Sequence, residues 1–286
     1  MGIAHLVVLS DDDNGSGAMI AAALASVSRH DGSVVLVDAD VEHGGLAQLL
    51  RASTEETHDF VGARVATILP DKCTACGTCL QACRFGAIKS GSPQFRIERS
   101  LCQACHSCYY QCPEHAITML ELESGRWFLS ASAYGALFHA RLDSGQTNSG
   151  KLVTFVKLQA RLAALARQPA TLLVAAPAGN GGPVRLACNG ADMAVLVIDP
   201  RGGVDSLDSL LGITNELRIP PVVMIDAGGV DESLIAPIRT RCRSVGVDVF
   251  ACGPVKAPQY PPRDAVPHLA DSLVEVWRRI RLRLRG

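Results

Sequence analysis

Eight of the chain's eleven cysteines fall between positions 73 and 112, in two runs. The first is Cys73, Cys76, Cys79 and Cys83; the second is Cys102, Cys105, Cys108 and Cys112. Each run reads C-x2-C-x2-C-x3-C, and each cysteine of the second lies 29 residues after its counterpart in the first. Three cysteines set two residues apart on a tight loop can point their thiolates at three irons of one cubane. The fourth lies too far round the following helix and reaches across to the other cluster. The spacing therefore predicts two 4Fe–4S clusters, one on Cys73, Cys76, Cys79 and Cys112, the other on Cys102, Cys105, Cys108 and Cys83. Zinc is the competing metal, but zinc modules usually space their ligands as two separated pairs. A disulfide framework belongs to short secreted chains, and this one has 286 residues.

The repeat extends past the ligands, for Gly86-Ala87-Ile88 matches His115-Ala116-Ile117 at the same offset. From about Pro70 to Leu120 the segment resembles a bacterial-type two-cluster ferredoxin. Two positions depart from that pattern. Arg84 stands where a proline often follows the fourth cysteine, and His106 stands where a small residue is common. His106 is read as an exposed loop histidine, with a hydrogen bond toward a cluster sulfur as the sharper alternative. Cys188, Cys242 and Cys252 show no ligand spacing and are expected to be structural.

These loops need a scaffold, and the rest of the chain supplies one. Apolar runs at "AHLVVLS", "SVVLVDAD", "TLLVAAP", "MAVLVIDP", "PVVMID" and "VDVFAC" alternate with helix-length segments. Helices are expected at 17–28, 151–167, 210–217 and 231–242. Short buried runs separated by helices predict an α/β, doubly wound, mostly parallel sheet with both faces covered. The cysteine segment reads as an α+β insert in a surface loop. The expected division is a discontinuous α/β domain over 1–66 and 121–286 and an inserted domain over 67–120. A formal charge of −1 gives no global attraction to nucleic acid or anionic membrane. No run approaches the roughly 20 apolar residues of a bilayer span. The first ten residues lack a basic stretch and run into Asp11, Asp12 and Asp13, unlike a signal peptide. A cytoplasmic location is expected.

The order of elements resembles the MinD/Mrp group of P-loop ATPases, in the branch that carries an inserted two-cluster ferredoxin. Four stretches carry the likeness: "VVLVDADVEHGGLAQLL", "ARLDSGQTNSGKLVTFVK", "PAGNGGPVRLACNGADMAVLVIDP" and "IPPVVMIDAGGVD". The family's phosphate loop reads G-K-G-G-x-G-K-S/T. Its backbone N–H groups cradle phosphate, a lysine neutralises charge and a hydroxyl holds Mg²⁺. Here "SDDDNGSGAM" occupies that place, with Gly15 and Gly17 in a strand-to-helix setting like that of a phosphate loop. Aligned from Ser10, Asp12 replaces the first lysine, Gly17 the second and Ala18 the hydroxyl. Ala175 stands where an acidic residue should end the third strand, and Ile225 and Asp226 replace the base-recognising pair. Asp38 and Asp40 persist, with a structural reading as turn or capping groups. Lys151 also persists and is read as structural or interfacial. A carboxylate about 4 Å from a phosphate is repelled by roughly 1 kcal/mol in water and about 4 at a partly buried site, so MgATP is not expected as a cofactor.

The chain's end repeats Leu273, Val276, Trp277, Ile280 and Leu284 at helical spacing among five arginines. A terminal helix packed by its apolar face is expected; a membrane-surface helix and a dock for an acidic redox partner are the alternatives. Taken together, the sequence predicts an electron carrier rather than a catalyst. Donor and acceptor proteins are its partners, and the degenerate ATPase fold docks them or dimerises. An ATP-dependent maturation or electron-transfer factor, and a wired subunit of a larger redox complex, are the rival readings.

Overall fold

The computed structural model describes residues 3–285 except 12–13, 92–93, 145, 147–148, 168–169, 254 and 256–264. The chain divides into two compact units, Met1–His58 with Arg126–Gly286, and Asp59–Gly125.

The first unit begins with β1 (Ala4–Ser10), α1 (Ser16–Ser28), β2 (Ser33–Asp38) and the short α2 (Leu46–Leu49), and β3 (Ser53–Ile68) starts within it. The second unit holds α3 (Thr78–Ala82), β4 (Ile88–Lys89), β5 (Arg96–Ile97) and α4 (Ser107–Gln111); the boundaries fall within β3 and β6 (Ile117–Ser132). The first unit then resumes with β7 (Gly135–Leu142), α5 (Ser149–Leu165), β8 (Ala170–Ala175), α6 (Gly182–Cys188) and β9 (Met193–Ile198). It ends with α7 (Gly203–Glu216), β10 (Pro221–Asp226), α8 (Glu232–Ser244), β11 (Val249–Cys252) and α9 (Ala265–Arg285).

The sheet runs β11-β10-β9-β1-β8-β2-β7-β6-β3. From β11 to β7 every pairing is parallel, with Leu6 opposite Leu173 and Val37 opposite Val174. Strands buried on both faces read as unbroken apolar runs, and β9 (MAVLVI) is buried at every residue. The fold is thus the doubly wound α/β class expected from the sequence.

Helix α1 is apolar all round for a physical reason. All of its residues but Ala18 and Val27 are buried, because it lies between the sheet and α9. The terminal helix lays Leu273, Val276, Trp277 and Ile280 into that core, and Trp277 Nε1 donates to Asp31 Oδ2 at 2.6 Å. Four of its arginines are occupied: Arg278 pairs with Glu275, Arg279 and Arg283 with Asp248, and Arg281 with Asp31. The packed-helix expectation therefore describes this element. No helix among the described residues is long and apolar enough to cross a membrane. Trp277→Ala should cost roughly 3–5 kcal/mol by removing a buried indole, whereas Arg281→Ala should cost under about 1, since its ion pair is partly solvated. Urea denaturation followed by circular dichroism reads both.

Candidate metal centres and the turn after β1

Each cysteine run lies on a loop that closes into one short helix. Thr78–Ala82 and Ser107–Gln111 are both five-residue helices, too short to stand without tertiary support. The loops repeat their backbone as well as their spacing. Positive φ occurs at Ala75 (56°) and Ala104 (47°), at Gly77 (81°) and His106 (63°), and at Gly86 (62°) and His115 (47°). Each pair is separated by 29 residues. Ala and His in this region carry strain of roughly 1–2 kcal/mol each, so the surrounding loop must hold them there.

The two loops frame two small pockets. One is lined by Cys73, Cys76, Cys79 and Cys112, with Ile68, Phe95 and Ile117 behind them. The other is lined by Cys83, Cys102, Cys105 and Cys108, with Ile88, Ile97 and Met119. Each cavity thus draws three cysteines from one half of the repeat and one from the other. All eight thiols are free. Among the described residues, no group of three or more His, Cys, Asp or Glu is placed to hold a single metal ion. Four cysteines lining one pocket suit a polynuclear cluster, in which each iron takes one sulfur. The residues present fit that group.

Electrostatics repeats with the spacing. Cys76 Sγ lies 3.4 Å from Thr78 Oγ1, and Cys105 Sγ lies 3.5 Å from Ser107 Oγ. These hydroxyls hold both exposed thiols below the usual range. Burial instead raises the thiols of Cys79 and Cys108, the latter to about 11. Backbone N–H groups point at sulfur too, from Ala66 to Cys102 at 3.5 Å and from Ala116 to Cys112 at 3.3 Å. Donors of this kind stabilise negative charge on ligating sulfur. Thr78 and Ser107 escape a search for ligand types, although their 29-residue separation marks them as a repeated pair. His106 lines the second cavity, and its ring lies 6.4 Å from Tyr109 and 6.2 Å from Tyr110. Cys188, Cys242 and Cys252 are buried in the α/β unit and line neither cavity.

The turn after β1 leads into α1 through Gly15, whose φ of 84° puts it in the left-handed region. Asp12 and Asp13 lie outside the described residues. Asn14 Oδ1 accepts the Ser16 N–H at 3.0 Å, which occupies one of the first helical donors that a bound anion would use. Gly17 allows α1 to approach β1, since a Cβ there would sit 3.0 Å from Ser10 Oγ. Ala18 faces the core that contains α1. An open pocket at the ends of β1, β2 and β8 is lined by Asp11, Asp40, Glu42, His43, Ser149 and Gly179, among others. Ala175 is buried, and its carbonyl accepts the Ala39 N–H at 2.9 Å. Lys151 lies in the first turn of α5.

Asp38 and Asp40 hold the segment after β2 together. Asp38 Oδ2 accepts the Leu46 N–H at 2.9 Å, and its Oδ1 accepts the Asp40 N–H at 3.2 Å. Asp40 Oδ1 accepts from His43 at 2.9 Å and from Glu42 at 3.3 Å. Burial pushes the Asp38 carboxyl up to about 7, against the pull of the Leu46 N–H. The folded state therefore binds this proton more tightly between the ordinary value of 3.8 and about 7, and the contribution to stability falls as pH rises through that window. Buried His5 and His139, both lowered to about 4, act in the opposite sense. The clean readout is thus a difference: the stability advantage of wild type over Asp38→Asn should shrink between pH 4 and 7 in urea titrations. The asparagine variant should start about 1–3 kcal/mol below wild type, because its amide N–H faces a backbone donor.

The α/β unit has a P-loop NTPase-type fold, and the cysteine segment supports an iron–sulfur protein. Residues 66–89 match the 4Fe-4S binding domain family. The structural neighbours are ATPases of the MinD/ParA type. The MinD cell division protein of Aquifex aeolicus aligns over 97% of this chain and 96% of its own, with a TM-score of 0.52 and 12% identity. The septum site-determining protein MinD of Pyrococcus horikoshii, complexed with Mg-ADP, aligns over 98% of each chain, with a TM-score of 0.53 and 13% identity. At such identity the likeness is one of fold. An uncharacterized protein of Methanocaldococcus jannaschii is 24% identical over 234 residues, which is 81% of this chain and 81% of that protein.

Proposed function

We propose that this chain is an electron carrier holding two 4Fe–4S clusters in a ferredoxin-type insert over residues 67–120, on an ATPase-type scaffold that does not turn over nucleotide. One observation carries the reading: each of two matched cavities takes three cysteines from one loop and a fourth from the other half of the repeat. Cys73, Cys76, Cys79 and Cys112 would hold one cluster, and Cys102, Cys105, Cys108 and Cys83 the other. A 4Fe–4S cluster supplies one-electron chemistry. The chain's own residues set the conditions for it. Thr78 and Ser107 favour thiolate at the exposed ligands, the Ala66 and Ala116 N–H groups share the sulfur charge, and the apolar backing excludes water. Separate donor and acceptor proteins supply and accept the electrons, in a reducing compartment such as the cytoplasm that keeps eleven cysteines free.

The scaffold reading rests on the pocket beyond β1. Where a phosphate site needs positive charge, this pocket is lined by the carboxylates of Asp11, Asp40 and Glu42. No acidic group stands at Ala175 to hold a metal-bound water. The nucleotide-dependent reading draws on the MinD neighbour that carries Mg-ADP, and these carboxylates oppose it.

Two measurements test the proposal. Anaerobically purified protein should contain about eight irons and eight acid-labile sulfides per chain, and dithionite should develop electron paramagnetic resonance signals of reduced clusters. A zinc-loaded, colourless protein overturns the cluster assignment. Calorimetric titration with MgATP should show no saturable heat, and micromolar affinity overturns the pseudo-ATPase assignment.

A further inference from the structure

The two halves of the repeat serve as controls for each other. What both share is needed to hold a cluster; what only one has must serve something else. The unshared features gather on the loop, the ribbon and the helix that supply the lining of the second cavity. Arg84 follows the ligand Cys83, and its guanidinium lies 5.1 Å above the Phe85 ring, which lines that cavity. In the β4–β5 ribbon, Ile88 and Ile97 line the cavity while the alternate residues, Lys89 and Arg96, are exposed and stand directly opposite each other. Like charges paired across a ribbon are destabilising. Neither has a carboxylate partner among the described residues, and nor do Arg84 and Arg99. Tyr110, 79% exposed, sits beside His106 on α4. At the equivalent positions of the other half stand Pro113, Glu114, Thr118 and Gln81, for Arg84, Phe85, Lys89 and Tyr110 respectively. Glu114 lines the first cavity, where Phe85 lines the second.

Charge is therefore divided within a unit that is neutral as a whole. Between Cys83 and Cys108 four cations (Arg84, Lys89, Arg96 and Arg99) meet one carboxylate, Glu98. The remainder of Asp59–Gly125 holds Arg64 and Lys72 against five carboxylates. The arginines of α9 do not compete as a docking surface, because those described in full are paired with carboxylates.

Resting on the electron-carrier reading, we propose that the face over the second cavity, made by Arg84, Phe85, the Lys89–Arg96 pair and Tyr110, is the docking surface for an acidic redox protein. The unneutralised cations steer and orient such a partner. The exposed aromatic rings supply the apolar centre that protein interfaces favour. The cluster held by Cys83, Cys102, Cys105 and Cys108 is then the one nearest the partner. It is also the easier to reduce of the two, because positive surroundings favour added negative charge.

The test uses the full-length, iron-loaded chain, reduced with dithionite and mixed in a stopped-flow cell with an oxidised flavodoxin, an acidic flavin protein. In each productive encounter the chain loses one electron and the flavin gains it, with a proton from solvent. The second-order rate constant should fall about tenfold or more between roughly 10 and 300 mM salt. The combined variant Arg84→Glu, Lys89→Glu and Arg96→Glu should slow transfer at low salt at least tenfold and reverse the salt dependence. The glutamine versions at the same three positions should give intermediate rates. Asp71→Asn with Glu123→Gln, outside this face, should stay within twofold of wild type. If the glutamate and wild-type rates agree while iron content and resonance signals stay intact, the docking surface is refuted and the carrier reading stands. A wild-type chain without iron overturns the carrier reading and this proposal with it.

Discussion

Cys83→Ser should lower the iron content of the anaerobic protein from about eight to about four per chain, and adding Cys102→Ser should remove nothing more. Cys83→Ser combined with Cys73→Ser should leave none. The contrast between these two pairs is the informative part, because it asks which cysteines share a cluster. Cys83 and Cys73 belong to the same sequence run, yet they line different cavities. The cause is α3: Cys83 sits at its C-terminal end in extended backbone, where the chain has already turned away from the loop of Cys73–Cys79. If instead Cys83→Ser with Cys73→Ser keeps four irons and Cys83→Ser with Cys102→Ser keeps none, each run holds its own cluster. Iron, sulfide and the amplitude of the reduced resonance signals report all three cases.

Chelating the iron should unfold the Asp59–Gly125 unit while the α/β unit stays intact. Five members of the small unit's apolar cluster are cysteines that we propose as ligands: Cys79 and Cys108 are buried at its centre, and Cys83, Cys102 and Cys112 pack against it. The remaining apolar members, among them Ile88, Ile117 and Phe95, are few. A domain of this size supplies only about 3–5 kcal/mol from its core. Against that stand two five-residue helices, a two-residue ribbon and four non-glycine residues at positive φ. Without bonds from iron to sulfur the balance turns unfavourable, as in other domains whose metal binding is coupled to folding. Trypsin should therefore cut at Lys72, Arg84, Lys89, Arg96 or Arg99 at least a hundredfold faster in the chelated protein, equivalent to about 2.7 kcal/mol of lost protection. Fragments of the α/β unit should persist. Equal cleavage of chelated and iron-loaded protein would show that the unit folds without metal.

The cysteine repeat was more legible in this sequence than the outer strands of the sheet. Cysteine spacing carries geometric information because a cubane imposes it, and the 29-residue offset exposes a duplication without any structure. The parallel strands were legible for a similar reason, since burial on both faces forces unbroken apolar runs. What escaped were β3, β6 and β7. "STEETHDF" opens β3 with no apolar residue until Phe60, and β6 mixes exposed and buried positions along "ITMLELESGRWFLSAS". Period-2 patterns of that kind are masked when polar residues fill the buried face, as Ser124 and Ser130 do here. The short α6, Gly182–Cys188, was hidden by its Gly-Pro start. Asp38 and Asp40 illustrate a different limit. Their types suit either a metal site or a turn, and only the N–H groups of Leu46, His43 and Glu42 show which bonds they make.

The exchange of fourth cysteines has a consequence for how the two copies of the repeat could diverge. Had each copy kept its own metal, either could have decayed or acquired another task while its twin carried on. Because Cys83 and Cys112 each line the cavity of the opposite loop, the proposed assignment makes a lesion in one copy damage both. On that assignment the thiols and loop turns of both copies serve both clusters, and both copies share the Ala-Ile that follows. Individuality is left to the few side chains between them, such as Phe85 against Glu114 and His106 against Gly77. Two ancestral twins were left free to differ only in temperament, and those few positions are where any division of labour between them must be written.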